Sequence, residues 1–200
     1  MEKDIIKLFL NKEKLKFNDI EKTLQIRSNK LSYHLQKLID KKVLEKNNGN
    51  YKLSKSSECL IPYISDQFSP LPVILIHIGD KDSYFLINRD KRPFQNKLAL
   101  PGGRILVGES INQAVKRIMK EKYKLNCQFK KVCSISLEHV KSEDKRLHSF
   151  LLIFVSAITK DKITLVNITK NKSRIISSDY KLLKNNSDLE IKIKNLITKA

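Results

Sequence analysis

A glycine-rich turn followed by a basic helix is the part of this sequence best suited to chemistry. The turn lies in LALPGGRILVGE, residues 98–109, and the helix ends in RIMKEKYKL, residues 117–125. Glycines let a backbone approach a phosphate closely, and carboxylates on a following helix could hold magnesium against that phosphate. This helical stretch, however, has one carboxylate among four basic side chains. The sequence therefore indicates a phosphate-binding site and leaves metal-assisted cleavage in question.

The spacing within GRILVGESINQAVKRIMKEKYKL, residues 103–125, resembles a Nudix box. That family pattern is G-x5-E-x7-R-E-U-x-E-E-x-G-U, where U is an aliphatic residue. The matching positions are Gly103, Glu109, Arg117 and Glu121, with Met119 and Leu125 as aliphatic residues. The preceding RPFQNKLALPGG is also typical of the family, especially of members that act on ADP-ribose-like compounds. The resemblance implies a Nudix α/β/α sandwich that binds a nucleoside diphosphate derivative.

Three positions depart from the family pattern. Ile118 and Lys122 stand where glutamates are expected, and Lys124 replaces a glycine. In the family, carboxylates at 118, 121 and 122 hold a divalent metal ion against the pyrophosphate. We therefore expect no catalytic residue, no metal ligand and no cofactor. If hydrolysis persists, Glu109 and Glu121 are the expected catalytic residues, with Mg²⁺ as cofactor, and a further carboxylate could come from Glu138, Glu143 or Asp144.

A lysine at position 122 could instead neutralise a pyrophosphate permanently and hold the ligand without cutting it. The alternative for Lys122 is a solvated side chain, and the alternative for Arg117 is a structural ion pair with Glu109 or Glu121. The predicted ligand-binding residues are Arg89, Arg92, Gly102, Gly103, Arg104, Glu109, Arg117, Glu121 and Lys122.

The first 54 residues show three helical patterns followed by a hairpin. Ser28 can cap the third helix, in which apolar residues recur at i, i+4, i+7 and i+8, namely Leu31, Leu35, Leu38 and Ile39. Asn48-Gly49 is a strong signal for a two-residue hairpin turn. The stretch SNKLSYHLQKLIDKKVLEKNNGNYKLS, residues 28–54, resembles the recognition helix and wing of small prokaryotic repressors of the ArsR or MarR kind. The resemblance implies a winged helix-turn-helix domain.

The polar face of the third helix decides whether it could read DNA. With the leucines inward, helical geometry turns its amide, lysine and tyrosine side chains outward, and such groups bind base edges and phosphates. An ordinary solvated face is the alternative. The predicted DNA-binding residues are Asn29, Lys30, Tyr33, Gln36 and Lys37 on the helix and Lys46, Asn47, Asn50 and Lys52 on the wing.

Two domains are predicted, a winged helix over residues 1–54 and a Nudix domain over residues 73–200. Residues 55–72 are rich in serine and proline and lack a helical period, which favours a linker. In the second domain we predict strands at VILIHIGD and SYFLINR, near 127–138 and 147–158, and at ITLVNI, with a helix over 110–124. Ser187 and Glu190 form a capping box for a closing helix that contains Leu189, Ile193, Leu196 and Ile197. The predicted fold class is α/β of the α+β kind.

The formal net charge is +19, and both halves of the chain are basic. Such a charge favours polyanionic partners, although a proteome rich in Lys, Ile and Asn is an alternative explanation. The three cysteines are too dispersed for a zinc site or a disulfide framework. The N-terminus is too charged for a signal peptide, and the longest apolar run, residues 150–158, is too short to span a bilayer. These features predict a soluble, cytoplasmic protein with no membrane partner.

The combined prediction is a ligand-responsive transcriptional regulator. It would bind double-stranded DNA as a homodimer, and its impaired Nudix domain would sense a phosphorylated nucleotide or sugar. Nudix-type repressors pair these two domains, commonly with the Nudix domain first, whereas here it is second. The alternatives are an active Nudix hydrolase with an accessory winged helix, and a winged helix that contacts protein or RNA.

Overall fold

In a computed structural model, the chain forms two compact units, residues 1–68 and 69–200. The structure describes residues 1–64, 67, 69–142, 145–185 and 190–193. Helices and strands occur in both units, so the predicted α+β class is confirmed. Within the described ranges, no helix is long and apolar enough to cross a membrane.

The first unit contains three helices and a three-stranded antiparallel sheet. Its elements are α1 (Glu2–Leu8), β1 (Leu15–Lys16), α2 (Phe17–Leu24), α3 (Ser28–Asp40), β2 (Leu44–Asn47) and β3 (Asn50–Leu53). Strand β3 lies between β1 and β2. Asn48 and Gly49 join β2 to β3 with φ angles of 47° and 75°, the left-handed conformation that a tight two-residue hairpin requires. The predicted hairpin is confirmed.

Helix α3 buries the apolar stripe that its spacing predicts. Leu31, Leu35 and Leu38 are all buried, and they pack in one cluster with Ile5 of α1 and Ile20 of α2. Packing of this face, rather than helix propensity, supplies most of the stability of such a short helix.

The predicted cap at Ser28 is wrong. Arg27 is the N-cap of α3 and makes no side-chain capping bond. Ser28 is the first helical residue, and its hydroxyl donates a hydrogen bond to the Glu21 carboxylate of α2. A neighbouring carboxylate is therefore the partner of this hydroxyl, in place of the backbone amide of its own helix.

The predicted linker contains regular structure. A 3-10 helix spans Glu58–Tyr63, and strand β4 of the second unit already begins at Leu71. Ser57 is buried, its amide donates to the carbonyl of Ser54 at 2.8 Å, and its hydroxyl donates to the carbonyl of Lys42 at 3.5 Å. Serine content favoured a linker in the sequence, but here a serine binds the backbone that follows α3.

The second unit is built on a four-stranded mixed sheet in the order β10-β11-β4-β9. Strand β11 runs parallel to β4 and antiparallel to β10, and β9 is antiparallel to β4. A three-stranded sheet, β12-β6-β5, and a two-stranded sheet, β7-β8, complete the strands. The elements are β4 (Leu71–His77), β5 (Gly79–Asp80), β6 (Ser83–Tyr84), β7 (Ile87–Asn88), β8 (Leu98–Ala99), β9 (Gly102–Arg104), α4 (Ile111–Tyr123), β10 (Cys127–Ser142), β11 (Lys145–Thr159), β12 (Val166–Asn167), a 3-10 helix (Lys172–Arg174) and α5 (Ser177–Lys184).

Alternate residues of the central strands pack in two different hydrophobic clusters. Ile74 and Ile76 of β4 lie in the cluster that contains Val115 of α4. In β11, Ile153 and Val155 lie in that same cluster, whereas Phe154 between them lies in the cluster that contains Leu183 of α5. Because successive side chains of a strand point to opposite faces, the sheet lies between α4 and α5. This is an α/β/α arrangement.

The predicted closing helix is wrong where the structure tests it. Ser187, Leu189, Leu196 and Ile197 lie outside the described residues, and the stretch 190–193 is not helical. The amide of Ile191 donates to the carbonyl of Val132 at 3.0 Å, so backbone pairing with β10 replaces a helical turn. The helix that is present, α5, was not predicted.

Candidate functional site

Arg117 of α4 binds the carboxylate of Glu109, which precedes the helix. Its Nε and Nη2 donate to the two Glu109 oxygens, with 2.8 Å between Nη2 and Oε2, and Nη2 also donates to the carbonyl of Arg104 at 3.0 Å. Glu121 lies one turn further along, with its Oε2 3.6 Å from Arg117 Nη1. Both ion pairs that the sequence offered as alternatives are therefore present, and Arg117 ties α4 to the preceding turn.

The carboxylate of Glu109 is fully engaged by these contacts. Its Oε2 also accepts a 2.9 Å hydrogen bond from the amide of Leu106. The Arg117 guanidinium, helped by this amide, holds the pKa of Glu109 below its ordinary value of 4.5. Glu109 is thus a charged anchor whose two oxygens already have donors.

Lys122 lies against the glycine-rich strand β9. Its Nζ donates a 2.7 Å hydrogen bond to the carbonyl of Gly102. A Cβ atom at Gly103 would lie 3.1 Å from Lys122 Nζ and 3.1 Å from Cγ1 of Ile118. Gly103 therefore permits the close approach of α4 to β9, and that approach places the ammonium group beside the turn.

The charge of Lys122 is held in a cationic environment. Partial desolvation of the ammonium lowers its pKa from 10.5, and the positive charges of Lys91, Arg117 and Arg89 lower it further. Lys122 is nevertheless an exposed residue, so water and ligands reach it. Because neighbouring cations destabilise the charged ammonium, a bound anion stabilises it more than it would stabilise an isolated lysine.

Ile118 is fully buried and belongs to the core between α4 and the sheet. It packs with Ile74, Val115 and Met119. The side chain at this position contributes hydrophobic packing and offers no ligand atom. We call Gly102, Gly103, Glu109, Arg117, Glu121 and Lys122 the Lys122 site.

Comparison with known proteins decides the family of this site. The sequence pattern described as "NUDIX domain" matches residues 69–173, which is 105 of the 200 residues. The chain belongs to the Nudix family. No curated protein matches it.

Solved Nudix structures resemble the chain at low identity. A hydrolase from Nitrosomonas europaea is 18% identical, with 58% of this chain and 87% of that chain covered and a TM-score of 0.48. The NUDIX domain of Shewanella oneidensis NrtR complexed with ADP ribose is 14% identical, with 59% and 86% covered and a TM-score of 0.44. A UDP-X diphosphatase is 14% identical, with 92% and 93% covered and a TM-score of 0.46. At these identities the likeness concerns the fold alone.

Nudix hydrolases typically use Mg²⁺, but the residues of the Lys122 site do not fit this ion. Magnesium is held by carboxylates together with substrate phosphates and waters. Both oxygens of Glu109 already accept hydrogen bonds from Arg117 or Leu106, and two family positions that would carry carboxylates have the buried Ile118 and the cation Lys122. Across the part of the chain that the structure describes, no three His, Cys, Asp or Glu residues are grouped to hold a metal ion.

The sequence offered three carboxylates outside the Nudix box as a further catalytic residue, and the structure describes only one of them. Glu143 and Asp144 lie outside the described residues. Glu138 lies in β10, and its charge acts on Asp179 of α5, whose pKa it helps to raise.

The other predicted ligand-binding arginines are not equivalent. Arg89 donates from its guanidinium to the carbonyls of Lys91, Arg92 and Pro93, so it holds the loop that follows β7. Arg92 and Arg104 are exposed, and Arg104 contributes its carbonyl to Arg117. Ligand binding by these arginines stays a prediction, and Arg89 has a clear structural task.

Two residues that bind the backbone of the glycine-rich turn, Asp179 and Tyr123, were not predicted from the sequence. Asp179 is buried on α5 and accepts a 2.7 Å hydrogen bond from the amide of Leu100, and burial raises the pKa of this carboxyl to about 7. Burial also raises the pKa of Tyr123, against a hydrogen bond with the backbone of Gly102. The only signal for Asp179 was the pattern SSDYKLLK, a short polar start followed by apolar residues.

In the first unit, the predicted DNA-binding residues fall into two groups. Asn29, Lys30 and Tyr33 are exposed near the start of α3, and Lys46 and Asn47 are exposed on the hairpin. The remaining four have hydrogen-bond or ion-pair partners within the unit, and among the first group Lys46 Nζ lies 5.4 Å from the centre of the Tyr51 ring.

Those partners are specific. Gln36 donates to Asp40 at 2.8 Å, and Asn50 donates to the carbonyl of Asn48 at 3.2 Å. The ammonium groups of Lys37 and Lys52 lie 3.1 Å and 3.3 Å from the carboxylates of Glu2 and Glu45. A nucleic acid would have to exchange these contacts for its own.

Proposed function

We propose that this protein is a ligand-responsive transcriptional regulator whose Nudix domain binds a nucleoside diphosphate derivative without hydrolysing it. The observation that carries the proposal is the position of Lys122, whose ammonium is fixed on the carbonyl of Gly102. A family position that would carry a metal-binding carboxylate carries a cation instead. Binding of the anion is retained, and metal-assisted attack on it is not supported.

The electrostatics of the Lys122 site favour a diphosphate. Desolvation and then the charges of Lys91, Arg117 and Arg89 lower the pKa of Lys122, and an incoming dianion would offset the repulsion from those cations. Lys122 retains two N–H donors beyond the one given to Gly102. Hydrolysis would further need a metal-activated water and a charge clamp. Glu109 is already bound by Arg117 and the amide of Leu106, and the cation Lys122 stands at a position where the family has a carboxylate.

The first unit supports DNA binding by its element order and its exposed groups. Helix α3 presents Asn29, Lys30 and Tyr33 at its N-terminal half, where a helix in the major groove contacts base edges. The β2–β3 hairpin presents Lys46 and Asn47 as a wing. A homodimer is part of the proposal because operators of such regulators are commonly palindromic.

An active Nudix hydrolase is the alternative, and one observation favours it. Glu121 has 64% of its side chain exposed and lies only 3.6 Å from Arg117, so it could turn towards a ligand. Under this alternative the first unit is an accessory domain.

ADP-ribose is the ligand to test first, because RPFQNKLALPGG is typical of Nudix proteins that act on ADP-ribose-like compounds. Calorimetry in EDTA should show binding, and product analysis with Mg²⁺ or Mn²⁺ should recover intact ADP-ribose. Turnover near 1 s⁻¹, which lies in the ordinary enzyme range, and its loss in Glu121→Gln would establish the hydrolase instead.

Regulation requires that ligand binding change the affinity of the protein for DNA. A duplex selected by the full chain from a random-sequence pool would be titrated with and without saturating ADP-ribose. A useful switch changes DNA affinity by roughly 5- to 150-fold, and linkage makes the effect reciprocal. Equal affinity with and without bound ADP-ribose would leave the two functions independent and remove the regulator from consideration.

A further inference from the structure

A cavity of about 470 Å³ opens beside the first turn of α5 and shares no residue with the Lys122 site. Its walls come from the loop that carries Phe94 and Lys97, from the segment that begins at Lys172, and from α5. Small-molecule sites occupy roughly 300–1,000 Å³. The cavity is therefore large enough for a metabolite and lies outside the site proposed for the diphosphate.

Two aromatic rings line this cavity. Phe94 has 38% of its surface exposed, and its backbone has a φ of 65°, a left-handed conformation that bulky residues rarely adopt. Tyr180 of α5 supplies the second ring, and the buried side chain of Ile175 adds apolar surface. The Phe94 ring is thus partly open to solvent and lies in the cavity wall, where a ligand can reach it.

Three lysines complete the lining. Lys97 Nζ donates to the carbonyl of Ser173 at 2.9 Å, Lys172 Nζ lies 5.5 Å from the centre of the Tyr180 ring, and Lys181 projects from α5 into the lining. Among the lining residues that the structure describes, none is acidic. The cavity thus combines aromatic surface with positive charge that no carboxylate in its lining neutralises.

We propose that this cavity is a second ligand site and that it binds a free mononucleotide. Its occupant must offer a flat ring to Phe94 and Tyr180 and an anion to Lys97, Lys172 and Lys181. Aromatic side chains and cations in one groove bind bases by stacking and phosphates by charge. A single base with its phosphate satisfies both needs within the volume, and a concave site of this size favours a free nucleotide over a polymer.

The probe is AMP, titrated into the full chain by calorimetry. We expect saturable binding that weakens about tenfold or more in Phe94→Ala, because a stacked base loses its platform. Phe94→Tyr keeps the ring and should bind AMP like the parent chain. Lys172→Gln should also weaken binding, whereas Lys170→Gln, an exposed lysine outside the lining, should leave it unchanged.

Three results would overturn the proposal. The first is the absence of AMP binding at millimolar concentration. The second is binding that survives Phe94→Ala and Lys172→Gln but is lost in Lys122→Met, which would place AMP at the Lys122 site. The third is tight binding of a dT12 oligonucleotide that depends on Phe94 when AMP does not bind, which would assign the cavity to single-stranded nucleic acid.

Discussion

Lys122 and Gly102 are joined by a 2.7 Å hydrogen bond from ammonium to carbonyl. The bond connects the last turn of α4 to the glycine-rich strand β9. It is possible because Gly103 has no side chain at the point of contact. A fixed protein cation thus stands beside the turn that would approach a phosphate, where Nudix hydrolases have metal-binding carboxylates.

Because the pKa of Lys122 is lowered, we expect the affinity of the Lys122 site for ADP-ribose to depend on pH. The ammonium binds an anion only while protonated, so affinity for ADP-ribose should fall as pH rises through the lowered pKa, below the ordinary 10.5. Lys122→Met should weaken binding roughly tenfold or more at neutral pH and remove this alkaline transition. Calorimetry across pH 7–10 measures both effects.

Lys120→Met is the matched control, because Lys120 lies exposed on the same helix and has no hydrogen bond to the glycine turn. Equal losses in the two variants would show that only net charge matters and that Lys122 has no specific role.

Restoring the family glutamates should affect stability unequally. Ile118 is fully buried, so Ile118→Glu places an unpaired carboxylate in the core and should lower the free energy of unfolding by about 3 kcal/mol or more. Lys122→Glu changes an exposed side chain and should cost about 1 kcal/mol or less. Urea denaturation of each variant tests this, and similar costs would contradict the burial of position 118.

The departures from the family pattern are evident in the sequence, but the contacts that the departing residues make are not. The match of Gly103, Glu109 and Arg117 to the family pattern predicted that these residues belong to one site, although only Arg117 lies on α4. It did not show that Lys122 bonds to Gly102, since that depends on how closely α4 packs on β9. Arg89 was predicted as a ligand residue for its charge alone, and the loop carbonyls that it binds have no sequence signal.

Periodicity predicted the elements with strong patterns and failed at weak ones. The leucine stripe of α3 and the apolar run of β11 follow from it, since each buries several consecutive apolar side chains of its pattern. Helix α5 is short and its apolar stripe is weak, whereas Ser187 and Glu190 give a stronger capping signal in a later segment. The sequence therefore predicted the closing helix in that later segment. The role of the Asp179 carboxylate was missed with it, because that role depends on a hydrogen bond from the amide of Leu100, which is distant in sequence and follows β8.

The Glu109–Arg117 pair should be measurably coupled. Both side chains are partly buried, with 16% and 22% exposed, and they share two hydrogen bonds. A double-mutant cycle with Glu109→Gln and Arg117→Met should give a coupling free energy of about 1 kcal/mol or more. The same cycle with Glu121→Gln in place of Glu109→Gln should give less, because Glu121 is exposed and 3.6 Å away. Equal couplings would contradict the assigned anchor.

Asp179 should make the second unit less stable as pH rises. Its folded-state pKa of about 7 lies above the unfolded value of 3.8, so between these values the folded chain holds a proton that the unfolded chain has lost. The free energy of unfolding should therefore fall between about pH 4 and 7, by up to about 1.4 kcal/mol per pH unit.

Asp179→Asn isolates this effect, because an amide oxygen can still accept the hydrogen bond from Leu100. The variant should match the parent chain at about pH 3.5, below the unfolded-state value of 3.8, and exceed it in stability at pH 8. Thermal unfolding at both pH values gives the comparison. Parallel shifts at the two values would mean that this carboxyl does not titrate in the window.

Glu2 should restrain DNA binding by α3. Its carboxylate lies 3.1 Å from Lys37 Nζ and 2.7 Å from Lys41 Nζ, and these lysines hold the pKa of Glu2 below its ordinary value. A phosphate that binds Lys37 must displace this carboxylate. Glu2→Gln should therefore raise affinity for the selected duplex a few fold, whereas Lys37→Gln should lower the log–log salt slope by about 1.

Glu13→Gln is the matched control for Glu2→Gln, because it removes the same charge from the same unit and contacts only Lys14 among the ion pairs of the described residues. Filter binding across a salt series measures affinity and slope for each variant. A larger gain for Glu2→Gln than for Glu13→Gln would show that the lysines of α3 meet phosphate. If the two gains are equal and Lys37→Gln leaves the slope unchanged, α3 does not lie on the duplex, and the proposed recognition surface is wrong.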